Sequence, residues 1–124
     1  MIQRLMAGVR PWAVSCLGQV AGVHLVGQTA YEDAVRAFCK EEKRRFLVEL
    51  PKIAFLRPRA GTTHFVLFEV LAPWDAAGVA KVLREQGLLI RNCSNFVGLE
   101  GEFVRISIRA RDENDRLLNS LSNL

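Results

Sequence analysis

A proline at position 51 separates two kinds of apolar pattern. No helix runs undisturbed through a proline, because the ring clashes with the preceding turn and has no N–H to donate. Before Pro51, apolar residues recur at helical intervals; after it they alternate or fall in short blocks. The chain is therefore constrained to begin with helices and to place its sheet beyond Pro51.

Trp12, Val14, Cys16, Leu17, Val20, Val23 and Leu25 recur with short gaps, which predicts a helix buried on most sides. Pro11 suits its first turn, where the missing N–H has no partner within the helix. Thr29 and Glu32 have the spacing of a capping box and predict a second helix, stopped by Pro51. Tyr31, Ala34, Val35, Phe38, Phe46 and Leu50 trace its apolar stripe. The intervening Lys40, Glu41, Glu42, Lys43, Arg44 and Arg45 are expected to form a solvated face laced by pairing from Glu41 to Arg45.

Ile53 to Leu56 and Thr63 to Leu71 predict a hairpin around an Arg57-Pro58-Arg59-Ala60-Gly61 turn. Asp75 should cap a short helix bearing Val79, Val82 and Leu83, with Gly87 as its left-handed C-terminal residue. Leu88 to Arg91 is expected as a short buried strand, Asn92 to Gly101 as a loop and Phe103 to Ile108 as a further strand. Asp112 begins a last helix with Leu117, Leu121 and Leu124 inward. This order gives an α/β fold, an α+β sandwich in which helices cover a small mixed or antiparallel sheet.

At 124 residues, half of them hydrophobic, the chain can build one core and not two. Cys16, Cys39 and Cys93 are odd in number and widely spaced, so they predict neither a disulfide framework nor a metal set, which fits a reducing cytoplasm. His24 and His64 have no partner at ligand spacing and are expected to be structural. Arg4 and Arg10 ahead of the apolar Pro11 to Val26 have the look of a signal peptide. However, Gln19 and His24 interrupt that run, and it is shorter than the ~20 residues of a membrane span. The formal charge of +4 favours anionic ligands. Nucleic acid is not expected: few aromatics are interleaved with the basic residues, and Phe65 and Phe68, three apart in a strand, would face opposite sides and serve packing.

The most informative stretch is Leu88-Leu89-Ile90-Arg91-Asn92-Cys93-Ser94-Asn95-Phe96, then Gly98-Leu99, then Phe103-Val104-Arg105-Ile106-Ser107-Ile108-Arg109. It sets Arg91 and Arg105 at the edges of apolar strands. A guanidinium beside β-branched residues needs a carboxylate or phosphate matching its fork of donors. A structural salt bridge to Asp or Glu, or an outward-facing strand position, accounts for the same pattern.

That string, closing with Glu113-Asn114-Asp115-Arg116-Leu117-Leu118, resembles the C-terminal part of pyridoxal-phosphate (PLP) enzymes of the aminotransferase fold. Within that family it is most similar to the threonine-phosphate decarboxylases of cobalamin biosynthesis, and more distantly to the histidinol-phosphate aminotransferases. The similarity extends back through Pro11-Trp12-Ala13-Val14-Ser15 and so covers nearly the whole chain. His64, Ser15 and Val97 depart from the family's usual asparagine, asparagine and proline.

The resemblance implies that residues 1–27 form an interdomain-type helix and residues 28–124 a small C-terminal substrate-binding domain. The large PLP-binding domain would precede Met1 and is absent here. It further implies Arg91 and Arg105 as substrate-binding residues, Arg91 mainly for phosphate and Arg105 for carboxylate, on a phosphorylated amino acid. PLP is the implied cofactor of the complete enzyme, which would be a homodimer. Lys40, Lys43, Lys52 and Lys81 lie outside the family's Schiff-base lysine motif, so the chain alone is expected to hold no PLP and to be inactive. The implied reaction converts threonine phosphate to aminopropanol phosphate and carbon dioxide. A histidinol-phosphate-type aminotransferase, or a stand-alone module binding a phosphorylated metabolite, are the alternatives.

Overall fold

Val66, Phe68 and Val70 alternate with Phe65, Leu67 and Glu69, and this period of two gives the sheet one face for packing and another for chemistry. The computed structural model describes Gly8 and residues 13–124. Its elements are α1 (Cys16–Leu25), α2 (Thr29–Glu49), a 3-10 turn (Leu50–Lys52), β1 (Leu56–Arg59), β2 (Phe65–Val70), α3 (Ala76–Glu85), β3 (Arg91–Asn92), β4 (Phe103–Ser107) and α4 (Arg111–Ser122). The chain divides into two units, Met1–Ala34 and Val35–Leu124.

In the second unit the four strands lie in the order β1-β2-β4-β3, and every neighbouring pair is antiparallel. Phe46 from α2, Leu50 from the 3-10 turn, Ala76, Val79 and Leu83 from α3, and Leu117, Leu118 and Leu121 from α4 share one core with Val66, Phe68, Val104 and Ile106. These helices thus cover a single face of the sheet. Each fully buried Phe or Leu contributes about 2 kcal/mol relative to leaving it in water. Asp75 caps α3 by accepting from the Gly78 amide, and Gly87 follows that helix at φ +74°, where a Cβ would be strained.

The expected order of elements stands, with several local corrections. The first hairpin strand is Leu56–Arg59 and not Ile53–Leu56, so most of the expected turn is strand and the loop is residues 60–64. Pro58 fits because β1 is an edge, where a strand need not donate to a further neighbour. The predicted strand Leu88 to Arg91 shrinks to Arg91–Asn92: Leu88 and Ile90 pack on the core while Leu89 stays exposed. The first i→i−4 bond of α2 runs from the Glu32 amide to the Gln28 carbonyl, so its cap lies one residue before Thr29. In the apolar stripe of α2, Phe46 and Leu50 are buried, but Tyr31, Val35 and Phe38 are exposed.

Helix α1 departs most from its expectation. Ser15 caps it, its Oγ accepting from the Gly18 amide at 3.1 Å, so the helix opens there. Pro11, Trp12 and the Arg4 and Arg10 of the leader-like pattern fall outside the described residues. None of its residues is buried, and Leu17 is 83% exposed. Periodicity reports that a helix surface is apolar; it does not report what covers it. No helix among the described residues is long and apolar enough to cross a membrane.

Candidate functional site

The face of the sheet opposite the helices carries Phe65 and Leu67 of β2, Arg105 and Ser107 of β4, and Arg91 of β3. Arg91 and Arg105 are direct Cα partners across β3 and β4, and Leu67 is the partner of Arg105 on the other side. Directly opposed side chains project to the same face, so two guanidiniums share one patch of surface. Arg91 is exposed and Arg105 half-buried.

Like charges placed directly opposite one another destabilise a sheet, and nothing among the described residues neutralises this pair. Among the described residues, neither guanidinium lies within ion-pair distance of a carboxylate. Other arginines are paired: Arg44 with Glu41 at 2.7 Å, Arg59 with Glu69 at 2.8 Å, Arg109 with Glu113 at 2.7 Å and Arg111 with Glu42 at 2.7 Å. Among the described residues, the structural salt bridge that the sequence allowed for Arg91 and Arg105 is therefore not formed.

Aromatic rings take the place of carboxylates. The Arg105 guanidinium carbon lies 4.2 Å from the centre of the Phe65 ring and 6.0 Å from that of Phe96, and the Arg91 carbon lies 5.5 Å from Phe96. Arg91 Nη2 also donates to Asn95 Oδ1 at 3.0 Å. These contacts hold the guanidiniums without cancelling their charge. Beneath them, burial pushes the Cys93 thiol up, with Arg105 and Arg91 pulling the other way, and the side chain is closed off from solvent.

Beside Arg105 opens a concavity of about 560 Å³, walled by Gly61, Thr63, Phe65 and Leu67 on one side and Phe96, Gly98 and Leu99 on the other. It is large enough for a small anionic molecule, and its two walls come from the hairpin loop with the start of β2, and from the loop after β3. Lys43 fixes the first wall, its Nζ donating to the carbonyls of Gly61 at 2.7 Å, Thr63 at 2.9 Å and Phe65 at 3.2 Å.

Sequence reasoning located both arginines but missed their aromatic neighbours. Phe68 is core, as expected, whereas Phe65 lies on the opposite face against Arg105 and is not part of the core. The period of two already separated Phe65 from Phe68; only the register of β2 against β4 reveals what Phe65 faces.

The family model for class I and II aminotransferases matches residues 1–121. The chain is 30% identical to the threonine-phosphate decarboxylase of Salmonella typhimurium over 114 residues, which is 92% of this chain and 31% of that protein. Among solved structures, the histidinol-phosphate aminotransferase from Clostridium acetobutylicum superposes with a TM-score of 0.79 at 30% identity, over 94% of this chain and 35% of that one. The L-threonine-O-3-phosphate decarboxylase from Porphyromonas gingivalis does so with a TM-score of 0.74 at 26% identity, over 98% of this chain and 38% of that one. The chain thus spans about a third of the length of these relatives. Over that third it shares their fold, and it belongs to the class I and II aminotransferase family.

Proposed function

We propose that this chain is the substrate-recognising part of a PLP-dependent decarboxylase of a phosphorylated amino acid, converting threonine phosphate to aminopropanol phosphate and carbon dioxide for cobalamin biosynthesis. The observation that carries this reading is the facing pair Arg91 and Arg105, without a carboxylate partner among the described residues, beside a concavity of small-molecule size. Threonine phosphate brings a phosphate and a carboxylate. Arg91, the more exposed, takes the phosphate, and Arg105, at the wall of the concavity, takes the carboxylate. Each guanidinium then gains the anion that the sheet itself withholds.

In this reading none of the chain's lysines is the PLP lysine. Lys43 is committed to three backbone carbonyls, Lys52 pairs with Glu49, and Lys40 and Lys81 are exposed. PLP and its lysine belong, in this reading, to the part of the relatives' length that the chain does not span, and the complete enzyme is a cytoplasmic homodimer. The role left to these residues is to bind and orient the substrate's two anions.

The superposition on a histidinol-phosphate aminotransferase favours a second reading, transamination of an amine that bears phosphate but no carboxylate. Calorimetric titration of the chain with O-phosphothreonine and with histidinol phosphate separates the two. Under the first reading, Arg105→Ala weakens O-phosphothreonine by about 10- to 100-fold, the worth of a charge-assisted hydrogen bond, and leaves histidinol phosphate unchanged. Unchanged affinity for O-phosphothreonine in that variant overturns the assignment of Arg105 to carboxylate.

A further inference from the structure

We propose that Phe96 is a positioning residue that spaces the two guanidiniums, and that this spacing selects ligands with two anionic groups over ligands with one. The inference rests on the reading of Arg91 and Arg105 as anion receptors and adds a cause for their arrangement.

Phe96 is shared by both cations: the Arg91 and Arg105 carbons lie 5.5 Å and 6.0 Å from the centre of its ring. Packing does not explain that ring, because Phe96 is 37% exposed and belongs to no part of the core. Its mount is firm all the same. The Phe96 amide donates to the Cys93 carbonyl at 2.9 Å, and Cys93 is buried, while the Leu99 amide donates back to the Phe96 carbonyl at 3.2 Å.

Two arginines in direct register repel and would otherwise swing apart into solvent. A carboxylate between them would fix their positions but would also occupy the donors that an incoming anion needs. An aromatic face attracts each guanidinium through its quadrupole and leaves the in-plane N–H groups free. Phe65 supports Arg105 in the same way at 4.2 Å, and Asn95 takes a single Nη2 of Arg91. The result is a receptor pair arranged before the ligand arrives, which lowers the ordering cost of binding both ends of one molecule. A ligand with one anion uses one arginine and gains nothing from the spacing.

The test uses the full chain, with Phe96→Leu as the disruptive variant and Phe96→Tyr as the conservative one. Ring-current shifts of the Arg91 and Arg105 side-chain protons report on positioning, and calorimetry with O-phosphothreonine and with inorganic phosphate reports on selectivity. In Phe96→Leu the upfield shift of Arg91 collapses while that of Arg105, still over Phe65, falls only in part, and affinity for O-phosphothreonine falls about fivefold, while affinity for inorganic phosphate changes less than twofold; Phe96→Tyr restores shift and affinity. Arginine shifts unchanged in Phe96→Leu, or an equal loss for both ligands, overturn the role of Phe96 alone. A wild-type chain that binds neither ligand overturns the reading of the two arginines as anion receptors, and this inference with it.

Discussion

Glu42 and Arg111 stand 69 positions apart in the chain and meet at 2.7 Å, tying the middle of α2 to the first residue of α4. The Glu42 carboxylate is only 1% exposed and also accepts from Arg45 Nη2 at 3.0 Å and Asn114 Nδ2 at 3.1 Å. Asn114 in turn brackets the Arg109 peptide, accepting from its N–H at 3.0 Å and donating to its carbonyl at 2.8 Å. The run expected to be a solvated face therefore contains a buried polar centre, and its pairing is Glu41 with Arg44 and Glu42 with Arg45.

That centre makes stability depend on acid. The Arg45 guanidinium beside Glu42, helped by Arg111 and Asn114 and opposed by burial, holds the carboxyl down at about 2 from an ordinary 4.5. A folded value below the unfolded one stabilises above about pH 4.5, and that contribution is lost as pH falls toward 2. Glu42→Gln should cost about 2 kcal/mol at neutral pH, because charge-assisted hydrogen bonds to a buried acceptor become neutral ones, while Arg45 keeps Asp115 at 2.6 Å and Arg111 is open to solvent. It should also flatten the acid limb of a melting-temperature profile. A limb of unchanged slope in the variant would locate the acid sensitivity elsewhere.

Lys43 Nζ is the clamp on the loop after β1, with three carbonyl acceptors from Gly61 to Phe65. Lys43→Met keeps the aliphatic stem and removes those bonds, and should destabilise the chain by about 1–3 kcal/mol. Hydrogen exchange at residues 60–64 should quicken more than exchange in α3. Equal protection in the variant would mean that the loop is held by its own turn.

Facing arginines should carry a cost in the ligand-free chain. Arg91→Gln removes one of two like charges and should raise stability to urea by up to about 1 kcal/mol, while reducing the stabilisation that O-phosphothreonine confers on the parent chain. A variant less stable than its parent would show that the pair is not strained.

The exposed Leu17, Val20 and Val23 of α1 form an apolar surface of the sort that monomeric proteins rarely leave open. The chain should self-associate as its concentration rises, and Leu17→Glu with Val23→Glu should return it to monomer in sedimentation velocity. A parent chain that stays monomeric at high concentration would refute this.

What the sequence disclosed depended on how far apart the interacting groups lie. The alternation at Val66, Phe68 and Val70, the Asp75 cap and the left-handed Gly87 are local signals, and each appears in the fold. Arg91 and Arg105 were legible as cations on apolar strands, but their direct opposition needs the register of β3 against β4. Glu42 looked like one more charge on a helix because its partners Arg111 and Asn114 come from the far end of the chain. Pro58 misled in the other direction: a proline between two arginines has turn chemistry, and only its place at a sheet edge makes it a strand residue.

The margins of the sheet have a further bearing on how copies of this chain can meet. One margin is β1, where Arg57 and Arg59 flank a proline lacking an amide hydrogen; the other is β3, only two residues long. Charge, proline and brevity are the devices by which natural sheets refuse an incoming strand. Neither margin offers a template for fibril growth, so crowding of this chain should yield discrete, dissociable oligomers held by α1 and no cross-β polymer.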